Sequence, residues 1–406
     1  MKLLHTADWH LGKRLEHISR LEEQKAVLNE ICEIAEREAV DAVLIAGDLF
    51  DHANPSIEAI ELFYRTLKRL ADNGRRAIIG IAGNHDSPDR IEAPDPLARE
   101  CGIILIGYPE TELKPFELDS GLRVTRSDKG FIELQLPGQT ELLRLILTPY
   151  ANEVRLRKYL GTEEGAENLR QLLQLHWQRL AEKYCDAAGV NILMTHLFVV
   201  KKGEKIEELE DEEEKTVLTV GGAQEIYTEQ FPSNIQYAAL GHLHGFIEVQ
   251  ASPFPIVYSS SPLCYSVKDR GKEKYVLILD VEAGKPASLT KIPLTQGYIA
   301  LQKRFEDIEE ALGWLTENPD TLVELTLRTE EHITAQDRKR LLDAHPRILR
   351  IVPEFSNPEL LRFTSGKQID LSKGMEELFV DYFLHKKGQQ PNEEIMRLFR
   401  EMLKEK

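Results

Sequence analysis

Several absences narrow the reading before any motif does. No apolar run approaches the ~20 residues that a membrane-spanning helix requires. The N-terminus offers only Leu3-Leu4 before His5 and Asp8; a secretion signal needs an apolar core of roughly 7–15 residues. Cysteine is scarce. Cys32, Cys101, Cys185 and Cys264 lie far apart with no C-x-x-C pair, so neither a disulfide framework nor a zinc knuckle is expected, and all four are read as reduced and buried. Basic residues fall short of acidic ones, 51 Lys+Arg against 68 Asp+Glu, for a formal net charge of −17. The basic footprint by which proteins hold nucleic acid is therefore missing overall. Part of the excess sits in one run, Glu207-Glu208 with Glu210–Glu214, and bound divalent cations can supply the local positive charge of a phosphate site. Internal repeats are absent. Together these features predict a cytoplasmic protein with no membrane partner.

What is present is globular. Of 406 residues, 42% are hydrophobic and 29% charged, a packed-domain composition at a length that predicts two or three domains. Strands are expected at Lys2–Thr6, Ala42–Ala46 and Ala77–Ala82, with helices at Leu21–Ala39 and after Pro55. Further strands follow at Leu142–Thr148, Val190–Thr195, Tyr237–Leu240, Ile256–Ser259 and Tyr275–Val281, with a helix near Ala166–Tyr184. This predicts an α/β fold, a β-sandwich flanked by helices over 1–297. A βαβαβ pattern fills 298–355 as a second, small α+β domain. The segment 356–406 holds a linker, within Pro353–Gly366, and two amphipathic helices, Met375–Leu384 and Ile395–Leu403.

Polar clusters recur at the predicted strand ends: Asp8-Trp9-His10, Gly47-Asp48, Gly83-Asn84-His85-Asp86, His196, and Gly241-His242-Leu243-His244. The bland reading of any one of them is a polar turn, and a lone D-x-H is weak. Five in this order at strand ends point to metal ligation. In extended chain, positions i and i+2 face the same way, so Asp8 and His10 are expected to reach one ion together, and His242 and His244 likewise. Glycines before Asp48, Asn84 and His242 are read as permitting sharp turns. Hydrolysis of a phosphodiester needs a strong nucleophile and charge stabilisation, which two adjacent metals supply. A carboxylate can be shared by two ions, whereas imidazoles and an amide complete each shell. Four imidazoles favour Mn, Fe, Zn or Co over Mg. His52, close after the Asp48 turn, is read as touching substrate. His5 is read as a core residue, and His17, His176, His332, His345 and His385 as surface.

The ordered set resembles the calcineurin-like metallophosphoesterase superfamily. HTADWHLG (His5–Gly12), GDLFD (Gly47–Asp51), AGNHDS (Ala82–Ser87), THL (Thr195–Leu197), GHLH (Gly241–His244) and SSPL (Ser260–Leu263) resemble in particular the nuclease subunits of DNA break-repair complexes. The resemblance spans nearly the whole chain and is most specific over the first 270 residues. It implies that Asp8, His10 and His244 bind one metal, that Asn84, His196 and His242 bind the other, and that Asp48 bridges them. It implies that His85 is a non-ligand catalytic histidine, with Asp86 orienting it. The two divalent ions would be Mn²⁺. The implied activity is metal-dependent cleavage of DNA, as a 3′→5′ double-strand exonuclease and an endonuclease. The small domain would be a capping domain that positions DNA. The C-terminal helices would dock on a coiled-coil ATPase, and the chain would form a homodimer, through helices near Ile57–Leu70 and Ile91–Arg99, within a heterotetramer. A phosphatase of the same superfamily is a rival reading, but such enzymes carry Arg and Glu where this chain has His52 and Asp86. A binding scaffold without activity is a second rival, opposed by the intact ligand set.

Overall fold

The computed structural model describes residues 1–156, 165–204, 225–266, 269, 271–329, 333–355, 374–387 and 391–404. The acidic run Glu207–Glu214, His332 and most of the expected linker lie outside them. The chain divides into two compact units, Met1–Leu301 with Asp320–Leu322, and Gln302–Pro319 with Val323–Lys406.

Unit one is built on two sheets. The first has six strands in the order Ser288–Pro293, Tyr275–Asp280, Lys2–Thr6, Ala42–Ile45, Ala77–Ile81, Ile103–Ile106. Its last four strands run parallel. The second has seven, in the order Phe246–Gln250, Ile256–Ser259, Tyr237–Gly241, Val190–His196, Leu142–Thr148, Phe131–Gln135, Arg123–Asp128. Its second to fifth strands are parallel. Parallel strands covered on both faces read as unbroken apolar runs, and the period-two alternation decides which core each residue enters. Leu3, Ala42, Leu44, Ala77 and Ile79 meet Ile132, Leu145, Ile192 and Ala239 between the sheets. Leu4, Val43, Ile45 and Ile78 face outward onto Leu28, Ile31 and Ala35 of helix Leu21–Arg37 and Phe63, Leu67 and Leu70 of helix Ile57–Ala71. On the far side, Leu173, Trp177 and Leu180 of helix Gly165–Tyr184 cover Ile146, Leu193 and Leu240. The result is a helix–sheet–sheet–helix sandwich.

Three expectations change. Pro55 does not open the second helix: Ser56 caps it, its hydroxyl accepting the N–H of Ala59 at 3.3 Å, the usual cap geometry. The apolar stretch Ile91–Arg99 is two short helices, Pro88–Glu92 and Asp95–Arg99, broken at Pro94. The cysteines are free, but only Cys32 and Cys185 are buried; Cys101 and Cys264 are half-buried.

Unit two carries a three-stranded sheet, Ile299–Phe305, Thr321–Thr329, Ile348–Phe355, with helices Ile308–Glu317 and Ala335–Ala344. Asp307 and Thr334 cap those helices by accepting the N–H of Glu310 and Asp337. His345, expected at the surface, is buried instead. It is 1% exposed, and its Nε2 lies 3.1 Å from the carbonyl oxygen of Asn318. Helices Met375–Lys387 and Glu393–Lys404 pair through Phe379 and Phe399, stacked with centroids 3.9 Å apart. No described helix is long and apolar enough to cross a membrane.

Candidate metal centre

The carboxyl ends of five parallel strands, from both sheets, converge at one rim of the sandwich. This is where open α/β sheets place chemistry. Asp8, Asp48 and Asn84 follow strands of the first sheet; His196 and His242 end strands of the second. The backbone there is held in an uncommon state. Asp8 (φ 55°), His10 (φ 45°), Asp48 (φ 48°) and His242 (φ 111°) all have positive φ, which non-glycine residues adopt only where the surroundings enforce it. The enforcement is visible: the N–H of Asp8 donates to Gly47 O at 3.0 Å, and that of His10 to Asp48 O at 2.9 Å. Gly83 and Gly241 serve approach and not turning. A Cβ would stand 2.0 Å from Asp48 Oδ1 at Gly83 and 1.8 Å from Ala46 O at Gly241.

The side chains gather into two adjoining groups. Asp8, His10 and His244 bring one ligand atom each within 4.8 Å of one another, as do Asp8, Asp48 and His196; His10, Asp51 and His85 meet the same distance at the edge of the first group. Nε2 of His10 faces Nε2 of His244 at 3.1 Å. Oδ1 of Asn84 lies 3.0 Å from Nε2 of His196 and 3.1 Å from Nδ1 of His242. Between the groups, Oδ2 of Asp48 lies 3.4 Å from Nε2 of His10 and 3.4 Å from Nε2 of His196. His242 and His244 thus go to different groups, against the same-ion expectation from spacing. The positive φ of His242 breaks the extended alternation on which that expectation rested.

The donor set fits a pair of divalent cations. Asp8 and Asp48 are at most 2% exposed, and carboxylates buried to that degree call for positive charge beside them. Facing imidazole nitrogens, and an amide oxygen shared by two rings, are potential ligand atoms aimed at common points. Burial holds His10, His242 and His244 toward the neutral form, His242 down to about 3 with His196 as the next cause. Burial opposes charge on His196 too, but the carboxylate of Asp48 raises it to about 9. Asp48 is pushed up by burial, yet held well below the usual range by His196 and then His10. Nδ1 of His196 donates to Ala46 O at 2.8 Å, which leaves Nε2 for the centre.

His85 stands beside this set. Its N–H donates to Asp48 Oδ1 at 2.9 Å, and its Nδ1 lies 2.8 Å from the carbonyl oxygen of Asp51. Asp86, expected to orient His85, is engaged elsewhere. Its carboxylate accepts the N–H groups of Gly83 (2.8 Å), Phe50 (2.9 Å) and Leu49 (3.0 Å), tying the Asn84 loop to the Asp48 loop. Burial, then the Asp48 carboxylate, raises it to about 6. The sequence reading assigned no role to Asp51, which lies 3.5 Å from Nδ1 of His10, 3.0 Å from Nζ of Lys13 and 3.0 Å from Nε2 of His52. Asp51 lies far from His10 and Lys13 in the sequence, so no local pattern reveals these contacts. Lys274 was missed as well: its Nζ donates to His244 O at 2.8 Å and to Ser261 Oγ at 3.1 Å. His52 sits at the rim, its side chain 78% exposed. His5 is fully buried, its Nδ1 2.9 Å from Tyr237 Oη. His17 is exposed and His176 half-buried.

The chain belongs to the calcineurin-like phosphoesterase family, whose model matches residues 1–246. Within it the chain groups with the SbcD components of SbcCD nucleases. It is 34% identical to the SbcD component of the SbcCD nuclease of Bacillus subtilis (strain 168), over 99% of this chain and 97% of that protein. It is 34% identical to the corresponding component from Rhodobacter capsulatus, over 72% of this chain and 69% of the relative. For that of Staphylococcus epidermidis the identity is 28%, over 86% and 85%.

Proposed function

We propose that this chain is the nuclease subunit of an SbcCD-type DNA end-processing complex, hydrolysing phosphodiester bonds as a Mn²⁺-dependent 3′→5′ double-strand exonuclease and endonuclease. The observation that carries the reading is the placement of Asp48 Oδ2, 3.4 Å from a ring nitrogen in each of two donor groups. Asp8, His10 and His244 are assigned to one cation, Asn84, His196 and His242 to the other, and Asp48 to both. When bound, the two cations supply an activated water at neutral pH and neutralise charge on the phosphoryl oxygens. The nitrogen-rich set favours Mn²⁺ over Mg²⁺.

The chain's own residues do the rest. Nδ1 of His85 is committed to the Asp51 carbonyl, so Nε2 is free to hold a proton for the leaving oxygen. Lys13, paired with Asp51, and the exposed His52 beside it are assigned to contact with a backbone phosphate. The net −17 is answered by the bound cations and by a DNA-binding surface shared with the SbcC-type ATPase and a second copy of the chain. Residues 298–355 are assigned to DNA positioning and 356–406 to docking on the ATPase.

The test is cleavage of bis(p-nitrophenyl) phosphate and end-labelled duplex DNA by the full chain, with and without an SbcC-type partner, in Mn²⁺ and Mg²⁺ in parallel. Metal-dependent diester cleavage by the chain alone, stronger in Mn²⁺, is expected. Cleavage of monoesters in preference to diesters would return the reading to a phosphatase.

A further inference from the structure

The loop Gly83–Asp86 carries both a candidate ligand, Asn84, and the non-ligand acid, His85. Two of its N–H groups are taken up inside the site: that of Gly83 goes to Asp86 and that of His85 to Asp48. Three of its four carbonyl oxygens are gathered by one side chain. NH1 of Arg155 donates to Gly83 O at 2.6 Å; NH2 donates to Asp86 O at 2.8 Å and to Asn84 O at 3.3 Å. A planar guanidinium with several fixed donors can meet three carbonyls at once, which a lysine ammonium on a flexible stem cannot. The fork is itself held. Its carbon lies 5.1 Å from the ring centroid of Tyr150, a cation–π placement. The N–H of Tyr150 donates to Ala82 O at 2.9 Å, immediately before the loop. The N–H of Arg155 donates to Asn152 Oδ1 at 2.9 Å.

NH1 and NH2 of Arg155 donate to main chain and not to the metal ligands' own side chains. We propose that Arg155 is a positioning residue for the hydrolytic reaction, clamping the carbonyls of Gly83, Asn84 and Asp86 so that Asn84 and His85 are set where they act. This deepens the proposed function and rests on it: if His85 has no part in hydrolysis, Arg155 has nothing to position for that chemistry.

The experiment compares the full chain with Arg155→Ala, Arg155→Lys and His85→Ala, on bis(p-nitrophenyl) phosphate in Mn²⁺. A displacement of about 1 Å in a reacting group costs on the order of 10²-fold, so Arg155→Ala should lower kcat by roughly 10- to 100-fold with KM within about twofold. Arg155→Lys keeps the charge but not the fork and should remain clearly below the unaltered chain. Guanidinium ion at low millimolar concentration should restore part of kcat to Arg155→Ala alone. A readout independent of activity is amide exchange in the metal-free proteins. The peptide spanning Ala82–Ser87 should exchange faster in both Arg155 variants, while the strand Ala42–Ile45 is unchanged. A kcat within twofold of the unaltered chain for Arg155→Ala overturns the proposal. So does a fall in melting temperature of more than about ten degrees in both Arg155 variants, which makes the residue a stability element only. If His85→Ala retains full activity, the hydrolytic reading fails first, whatever Arg155 does.

Discussion

Nδ1 of His85 is fixed 2.8 Å from the main-chain carbonyl oxygen of Asp51. A carbonyl only accepts, so Nδ1 carries hydrogen in the neutral and the charged ring alike, and Nε2 is the nitrogen that changes. His85 is also surplus to the seven donors assigned to metal. His85→Ala should therefore lower kcat by about 10²–10⁴-fold, the usual weight of a general acid, with metal content unchanged by elemental analysis. Loss of metal in that variant would make His85 a ligand and overturn its role.

Asp48 and Asp8 differ in how they are used. One oxygen of Asp48 stands equally between His10 and His196. Asp8 has both oxygens within 3.2 Å of the His242 backbone nitrogen; it groups with His10 and His244 and also with Asp48 and His196, and the proposed assignment gives it to the first cation alone. Asp48→Asn should empty both positions at once, and Asp8→Asn mainly one. Metal-to-protein ratios from gel-filtered variants check this. Equal loss in both variants removes the case for a shared ligand.

How much of this was legible in the sequence depends on which atoms do the work. Asp8, Asp48, Asn84 and His196 were legible because each is polar at the end of an apolar strand. The sandwich core was legible because parallel strands read as short apolar runs. The ligand partition was not legible from spacing, which put His242 and His244 together; only the family resemblance parted them, and the φ of 111° at His242 is where the extended alternation breaks. Asp86 and Arg155 were misread or missed because both act on main-chain atoms, and a residue's neighbours in sequence say nothing about which main-chain groups it will meet. Strands Phe246–Gln250 and Ser288–Pro293 escaped because they lie at sheet edges with few buried residues, where the apolar signal is weak.

Asp86 gives a stability prediction. Its buried carboxylate accepts three N–H groups from two loops. An amide in its place brings two donors of its own, so one or more of those N–H groups loses its acceptor. Each buried donor left unpaired costs about 1–3 kcal/mol, so Asp86→Asn should destabilise the folded chain by roughly 2–4 kcal/mol. Thermal and denaturant unfolding of the metal-free protein measure it. An unchanged midpoint would mean that the two loops are tied elsewhere.

The expected homodimer has a specific surface to test. Ile57, at the start of helix Ile57–Ala71, and Leu97, in the short helix Asp95–Arg99, are each 79% exposed. Large apolar side chains left in water at such levels mark contact surfaces when they cluster. The full chain should sediment as a dimer at micromolar concentration, and Ile57→Glu with Leu97→Glu should shift it to monomer without lowering the melting temperature of the monomer. A monomeric parent chain sinks the idea outright.

The C-terminal helices give the last prediction. Periodicity drew one apolar stripe on each, Met375, Leu378, Phe379 and Phe383 on the first and Ile395, Leu398, Phe399 and Met402 on the second. The structure pairs the stripes in part, through the Phe379–Phe399 stack and the Arg400–Glu376 ion pair at 3.0 Å. The pairing leaves Met375 60%, Tyr382 57% and Leu398 52% exposed. Fully burying side chains of this size is worth about 1.5–3 kcal/mol each, so the hairpin keeps a face whose covering by a partner is favourable. A helical hairpin laid against a coiled coil is a common use of such a face. Removing everything after Gly366 should abolish co-purification with an SbcC-type ATPase while leaving metal-dependent cleavage of bis(p-nitrophenyl) phosphate within about twofold. Leu398→Asp should weaken co-purification without changing the helical circular dichroism, because Leu398 lies outside the Phe379–Phe399 stack. A truncated chain that still co-purifies would remove the hairpin as the docking element. A truncated chain that loses small-substrate cleavage would mean that the hairpin supports the catalytic unit instead.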